Sequence, residues 1–209
     1  GKQQSKNNKR ESLSLIRYAD DFVILHKDIT VVQRCKEIIS EWLKGIGLEL
    51  KPSKTRIAHT LNQYGQEEPG FDFLGFNIRQ FPVGKHHSKH GFKTIITPSK
   101  KGRKVHYDKL AKLIETHKAA TQATLISRVN PLIRGWANYY ATVVSKETYA
   151  EMDYLMYQKL EAWANHRHPH KGKGWVANKY WQSIDGDNWV FATRKENTLR
   201  LLKHSETPI

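Results

Sequence analysis

Two adjacent aspartates, Asp20 and Asp21, are the residues of this sequence whose chemistry is easiest to name. β-branched and aromatic residues lie on both sides of the pair, which indicates a β-hairpin with the acids at its tip and buried strands behind them. Carboxylates on a stiff turn suit Mg²⁺, which takes one or two protein carboxylates and keeps its other positions for water and phosphate. Aspartate is also a common turn residue, so the motif alone leaves a metal site and a plain turn equally open.

Phosphoryl transfer with two metal ions would need more than this pair of acids. Such a site holds its two ions roughly 3.5–4 Å apart with several carboxylates. Neighbouring residues of a strand point to opposite faces, so Asp20 and Asp21 alone are unlikely to bind both ions. We therefore expect at least one further carboxylate from another segment.

Composition favours a polyanion as the binding partner. The formal net charge is +15 and the pI about 9.8, a balance that is typical of proteins that bind nucleic acid or an anionic membrane surface. No apolar run reaches the roughly 20 residues that span a bilayer, and the basic N-terminus lacks the apolar core of a signal peptide. These features predict a soluble, cytoplasmic protein. The single cysteine, Cys35, excludes an intramolecular disulfide, and we expect it to be a small buried residue.

The elements around the aspartates read as an α+β layer. Residues 1–12 are polar and basic without periodicity, as expected for a mobile loop or the tip of a longer hairpin. Asp28 is a suitable N-cap for an amphipathic helix that ends near Gly45, and a short strand is predicted at 48–50 before a turn at Pro52. After a loop at 61–70, an aromatic strand follows at 71–78. It is broken at Gly75, where a bulge or the close approach of another backbone is expected.

The second half of the chain changes to helical periodicity after a basic junction near residue 98. A helix is predicted around Leu110, followed by a short segment at 125–129. Asn130 and Pro131 then read as the N-cap and first residue of a further helix, and a long helix runs from Lys146 to about His166. We therefore predict a bundle of three or four helices and an exit segment at the C-terminus.

Two groups of histidines invite a metal interpretation. Their members are His86, His87 and His90 in the loop at 82–92, and His166, His168 and His170. Neither group has the carboxylates or cysteines that would complete a zinc site, so basic, phosphate-facing loops are the better interpretation.

Four blocks, taken together, resemble the reverse transcriptases encoded by group II introns, which also act as splicing maturases. The blocks are Tyr18-Ala19-Asp20-Asp21, residues 47–55, residues 71–76 and residues 133–140, in the order found in that family. The resemblance covers nearly the whole chain. It implies the C-terminal part of a polymerase palm at 1–97, an antiparallel sheet with a helix, followed by an α-helical thumb bundle, or maturase domain X, at 98–209.

The resemblance also implies roles for individual residues. Asp20 and Asp21 would be the catalytic and Mg²⁺-binding pair, with Asp21 supporting the site. Contacts to the nucleotide or primer would come from Tyr18, Lys54, Leu74 and Gly75. The implied substrates are deoxynucleotides, an RNA template with a DNA primer, and the target DNA of a mobile intron in retrohoming. Intron RNA would meet basic residues of the second half, namely Arg128, Arg134, Lys146, Arg167, Lys171 and Lys173.

The family's fingers and its other metal-binding palm strand precede the aspartate hairpin, whereas only a basic loop precedes it here, and Glu11 is a poor ligand candidate. We therefore expect a missing N-terminal segment to complete the polymerase, and these 209 residues alone to be inactive. One alternative is a non-catalytic module that stabilises folded intron RNA, in which Trp136, Tyr139 and Tyr140 pack the bundle. Another is a retron or CRISPR-associated reverse transcriptase.

Overall fold

The computed structural model describes residues 12–84, 86–194 and 198–209. The chain divides into two compact units, one made of residues up to 74 together with 78–94, the other of residues 75–77 with 95–209. The predicted loop at 1–12, and Glu11 within it, lie outside the described residues except for Ser12. The division at residue 97 into a polymerase part and a maturase part stays a prediction.

The aspartates lie in the predicted hairpin. Strands β1 (Ser14–Tyr18) and β2 (Asp21–Leu25) are antiparallel, with Tyr18 opposite Asp21, so the loop consists of Ala19 and Asp20 alone. Ala19 has φ +53°, the positive value that two-residue hairpin loops require at their first position. Asp20 is thus at the tip, and Asp21 is the first residue of the returning strand.

The prediction that the flanking strands are buried is wrong. Leu15 is 62% exposed and Ile16 48%, and every residue of β1 is exposed. The physical reason is that β1 and β2 form a two-stranded sheet, which no third strand joins within the described residues. The apolar side chains of β1 therefore have no layer to pack against there.

Helix α1 (Ile29–Gly45) begins and ends as predicted. The Asp28 side chain accepts a hydrogen bond from the Thr30 amide at 2.9 Å, which caps the first turn. No residue of the helix is fully buried; Cys35 is half-buried rather than buried, and Trp42 is 65% exposed. The strand predicted at 48–50 is absent, because no neighbouring strand supplies hydrogen bonds there. A 3₁₀ turn (Pro52–Lys54) follows as expected.

The aromatic run at 71–78 is two strands rather than one. β3 (Phe71–Phe73), β4 (Phe76–Pro82) and β5 (Phe92–Pro98) form a sheet in that order. Leu74 and Gly75 have φ +50° and +82°, which makes them the loop of a tight hairpin and corrects the predicted bulge. The backbone that approaches Gly75 is that of Ser99 in the protein itself, and a side chain joins it: the Tyr140 hydroxyl donates to the Gly75 carbonyl at 2.9 Å.

Gly75 is confined by that hydroxyl group. A Cβ atom at Gly75 would lie 2.7 Å from the Tyr140 oxygen, and one at Gly102 would lie 2.8 Å from the same atom. The Ser99 amide donates to the Gly75 carbonyl at 2.8 Å. Only glycine fits at either position without a shift of Tyr140, so this contact explains both glycines structurally.

The second unit is a helical bundle, as predicted. Its helices are α2 (Lys100–Thr116), α3 (Gln122–Tyr140), α4 (Lys146–Arg167) and α5 (Lys173–Tyr180). Ser99 and Thr121 cap the first two through hydrogen bonds to backbone amides. The largest buried cluster brings together all four helices through residues such as Leu110, Val129, Leu160 and Val176.

The predicted break at Asn130 and Pro131 does not occur. Helix α3 continues through both residues, with Val129 and Ile133 buried on either side of the proline. The Asn130 side chain does not cap a helix. It donates to the Arg200 carbonyl and accepts from the Leu202 amide, both at 2.9 Å. Buried packing and these bonds offset the hydrogen bond that proline removes.

The C-terminal residues are packed rather than leaving the fold. Strands β6 (Trp181–Ile184) and β7 (Asp187–Phe191) form a hairpin around Asp185 and Gly186. Leu201 donates its amide to the Phe191 carbonyl at 2.9 Å and is 8% exposed. A 3₁₀ turn (His204–Glu206) then lies against α4. No helix in the described part of the chain has both the length and the apolar character needed to cross a bilayer.

Candidate metal-binding hairpin and basic surface

The tip of the first hairpin presents two free carboxylates. Asp20 and Asp21 are exposed, and neither side chain has a hydrogen bond or ion pair with another described residue. Arg17 donates its Nε hydrogen to the Ala19 carbonyl at 2.8 Å, which holds the loop in its left-handed conformation. Two unpaired oxygen ligands on a braced turn match the donor chemistry that Mg²⁺ prefers.

The further carboxylate expected beside the pair is not found among the described residues. No group of three or more histidine, cysteine, aspartate or glutamate side chains in this part of the chain could hold a metal ion. The residues present therefore fit Mg²⁺ as one or two of its ligands, the number that such ions commonly take from protein when phosphate and water supply the rest. The two histidine groups likewise show no metal-binding arrangement in the described range.

The predicted nucleotide and primer contacts lie in several elements. Tyr18 precedes the aspartate loop and is 64% exposed, Lys54 is exposed in the 3₁₀ turn, and Leu74 is half-buried in the β3–β4 loop. All three belong to the first unit, whereas Gly75 belongs to the second. The Tyr140 contact explains why glycine occupies position 75. A contact of Gly75 with the primer stays a prediction.

The six basic residues predicted to bind RNA differ in their surroundings. Arg128 and Arg134 are exposed on α3, Lys146 is the first residue of α4, and Lys171 and Lys173 are exposed around the start of α5. Arg167 is half-buried, and its guanidinium group donates to the Lys118 carbonyl at 2.6 Å.

The aromatic residues of the predicted thumb motif mainly pack, as expected. Tyr140 is buried, and Trp136 is stacked on His106 with ring centres 4.4 Å apart. Tyr139 is 51% exposed, with one side against Phe76 at 5.0 Å.

Around α5, basic side chains converge on one aromatic residue that sequence reasoning did not single out. Trp175 is 44% exposed, and the Nζ atoms of Lys171 and Lys179 lie 5.3 and 5.0 Å from its ring centre. His168 contacts the same ring edge-on at 5.0 Å. Trp175 and Lys179 are four residues apart on α5 and so share a helix face, whereas Lys171 precedes the helix, so the sequence signalled only one of the two contacts.

Sequence reasoning also missed a buried polar chain that runs from α2 to the C-terminus. His106 Nε2 and His204 Nε2 lie 2.9 Å apart, and His204 Nδ1 lies 2.7 Å from the Asp153 carboxylate. Burial, followed by the charges of His204 and Lys109, lowers the pKa of His106 to about 3. His106 and His204 are 98 residues apart, so no local pattern could reveal the pair.

Comparison with protein families matches both halves of the chain. Residues 2–78 match the family "Reverse transcriptase (RNA-dependent DNA polymerase)", and residues 103–181 match "Group II intron, maturase-specific domain". No curated protein matches the chain. The first match contains the aspartate hairpin and the second contains α3, α4 and Trp175, in the order that the four blocks predicted. The chain therefore belongs to the group II intron reverse transcriptases that carry a maturase domain.

Proposed function

We propose that the first unit contributes metal-binding carboxylates to an RNA-directed DNA polymerase, and that the second unit binds intron RNA as a splicing maturase. The observation that carries the polymerase role is the pair of carboxylates at the braced tip of the β1–β2 hairpin, which have no partner among the described residues and lie within the reverse transcriptase match. In a mobile intron, this polymerase would copy the intron RNA from a DNA primer made at the target DNA, using deoxynucleotides.

The residues of this site have different proposed roles. Mg²⁺ bound there would polarise the phosphoryl oxygens and lower the barrier to attack by the primer 3′ oxygen. Asp20, at the tip, is the main ligand, and Asp21 supports the site from the first position of β2. Tyr18 and Leu74 line the path of the primer, and Lys54 neutralises phosphate charge near the incoming nucleotide.

Part of the polymerase is expected to cover the exposed apolar side chains of the first unit. Leu15, Ile16 and Trp42 together present apolar surface that water-soluble folds usually bury. A preceding fingers and palm segment of the complete protein is the partner that fits, because it would also supply the further carboxylate.

Metal binding at the hairpin can be tested directly on this chain. We expect Mn²⁺, added in place of Mg²⁺, to broaden the NMR amide signals of residues 18–22 before any others, because unpaired oxygen ligands bind it there. Replacing both aspartates, as Asp20→Asn with Asp21→Asn, should abolish that selective broadening.

A matched control replaces two other exposed acids of the same unit, Glu37→Gln with Glu41→Gln on α1. This variant should keep the broadening at the hairpin. Equal broadening at both acidic pairs in the unmodified chain would contradict a specific metal site.

RNA binding by the second unit is a separate candidate function, and it alone would suffice for a module that stabilises folded intron RNA. Its support is the exposed basic set on α3, α4 and α5 within the maturase match. Phosphate contacts of this kind release counterions, so affinity falls with salt.

We expect the logarithm of the RNA dissociation constant to rise with the logarithm of salt concentration with a slope of about 4, the value for phosphate contacts from the five exposed residues of the set. Lys171→Gln with Lys173→Gln should lower that slope by about 2. Lys159→Gln is the control, because Lys159 is paired with Glu115 at 3.3 Å. Fluorescence anisotropy with labelled intron RNA measures the dissociation constants of the unmodified chain and of both variants. A dissociation constant that does not change with salt would contradict phosphate binding.

A further inference from the structure

Trp175 is exposed, whereas two other tryptophans of the same unit are buried. Trp163 and Trp181 are 4% and 6% exposed, in the core beside Tyr180, whereas Trp175 on α5 is 44% exposed. An isolated exposed tryptophan needs no explanation. Trp175, however, lies among basic side chains, so its exposure calls for an explanation.

Two lysines frame the ring. Lys171 and Lys179 approach it from four residues before and four residues after, at 5.3 and 5.0 Å. No carboxylate of the described residues forms an ion pair with either lysine. Their charges are therefore available to an anion placed beside the indole ring.

The same local charge affects the pKa of His168. Its Nε2 atom lies 2.9 Å from the Tyr180 hydroxyl, and its ring contacts Trp175 edge-on. Partial desolvation, followed by the charges of Lys179, Arg167 and Lys171, lowers the pKa of His168. Three basic residues thus contribute positive potential at His168, next to the tryptophan.

The backbone beside Trp175 is also uncovered. Gly172 and Gly174 both have negative φ, and a Cβ atom at either would meet no atom within 4 Å. Gly172 is the N-cap of α5, a position that glycine favours, and Gly174 is the second residue of that helix. Small residues here leave room for a ligand to approach the ring.

We propose that Trp175 stacks on an unpaired nucleobase of single-stranded RNA, while Lys171 and Lys179 bind the phosphates on either side of that base. An aromatic face combined with flanking cations matches the chemistry of a single strand, whose bases expose their faces. A paired duplex offers phosphates but buries its base faces, so it would use the lysines alone. The inference rests on the proposed RNA-binding function and names the form of RNA that this surface takes.

The test compares an RNA hairpin that has an unpaired loop with a fully paired RNA duplex of equal length, both titrated with the complete 209-residue chain. Trp175→Ala should weaken hairpin binding about tenfold, within the range for one stacked base, and change duplex binding less than about twofold. Trp175→Phe should keep most of the hairpin affinity, because phenylalanine still offers a ring face.

Trp189→Ala is the matched control. Trp189 is 60% exposed in the same unit, and no cation lies over its ring among the described contacts. This variant should bind both RNAs as the unmodified chain does. An equal loss from both tryptophan variants would overturn the assignment of Trp175.

A second measurement separates stacking from a structural effect. In chain labelled with 5-fluorotryptophan, the ¹⁹F signal that Trp175→Phe removes should shift on addition of the hairpin RNA and stay in place on addition of the duplex. The pKa of His168 should rise in the hairpin complex, since bound phosphate stabilises its protonated form.

The outcomes distinguish the two proposals. If neither RNA binds, or binding ignores salt, the proposed RNA-binding function fails and this inference fails with it. If both RNAs bind with steep salt dependence but Trp175→Ala weakens them equally, only the stacking inference is overturned. A polyglutamate peptide that shifts the ¹⁹F signal as strongly as the hairpin would also overturn it, in favour of an acidic protein partner.

Discussion

Replacing Asp20 with asparagine in a complete polymerase that contains this chain is expected to lower cDNA synthesis by about 10³-fold or more. Asparagine keeps the size and the turn preference of aspartate but removes the charge that would hold Mg²⁺, and a metal ion contributes several kcal/mol of transition-state stabilisation. Asp21→Asn should also lower the rate, by less. Primer extension on an RNA template measures both.

Asp185 offers a control from the same molecule. It lies in the two-residue loop of the β6–β7 hairpin with φ +52°, much as Ala19 and Asp20 form the loop of the β1–β2 hairpin. If aspartate served only as a turn residue at position 20, then Asp20→Asn and Asp185→Asn would have equally small effects. A variant of Asp20 that loses RNA binding and splicing to the same degree as cDNA synthesis would instead indicate a folding defect.

The largest loss of stability is expected from Asp153, which anchors the C-terminal turn. Its carboxylate accepts hydrogen bonds from the His204 amide at 2.7 Å, the Ser205 amide at 3.0 Å and the Ser205 hydroxyl at 2.6 Å, besides its contact with His204 Nδ1. Burial alone would raise the pKa of Asp153, but the bonds from His204 and Ser205 outweigh burial and lower it.

Asp153→Asn should therefore lower the free energy of unfolding by about 3 kcal/mol. The amide nitrogen of asparagine cannot accept, so donors of buried His204 or of exposed Ser205 lose their partner, and the charge that supports His204 is lost. Urea denaturation followed by circular dichroism measures the change. Asp108→Asn is the control, because Asp108 is exposed on α2 and forms an exposed ion pair with Lys104, so it should cost less than about 1 kcal/mol.

The same network makes stability depend on pH. The folded-state pKa of His106 is about 3 against 6.5 for the free side chain, so between these values the unfolded chain binds a proton that the folded chain does not. Stability should then fall as pH decreases from 6.5, by up to about 1.4 kcal/mol per pH unit. His106→Gln removes this titration, and an unchanged slope in that variant would contradict the assignment to His106.

Local chemistry explains which elements were predictable from the sequence. The β1–β2 hairpin, the Asp28 cap of α1 and the long helix α4 all depend on residues close together in the chain, whose spacing or capping side chains determine the backbone. The order of the four blocks likewise predicted the two family matches.

Predictions failed where distant residues decide the outcome. Pro131 would end a helix by its local effect, yet buried neighbours and the bonds of Asn130 to the C-terminal segment keep α3 continuous. Gly75 reads as a bulge in a strand, yet the Tyr140 hydroxyl and a two-residue loop account for it.

By itself, the sequence determined the paired aspartates, the basic charge and the family of this protein, because residue types and their order carry that information. Only the tertiary structure decided which side chains meet. It placed Asp20 and Asp21 at an exposed tip, buried His106 against His204, and gathered Lys171, Lys179 and His168 around Trp175. The physical reason is that burial and charge clustering arise from contacts between helices and loops, which spacing along the chain does not encode.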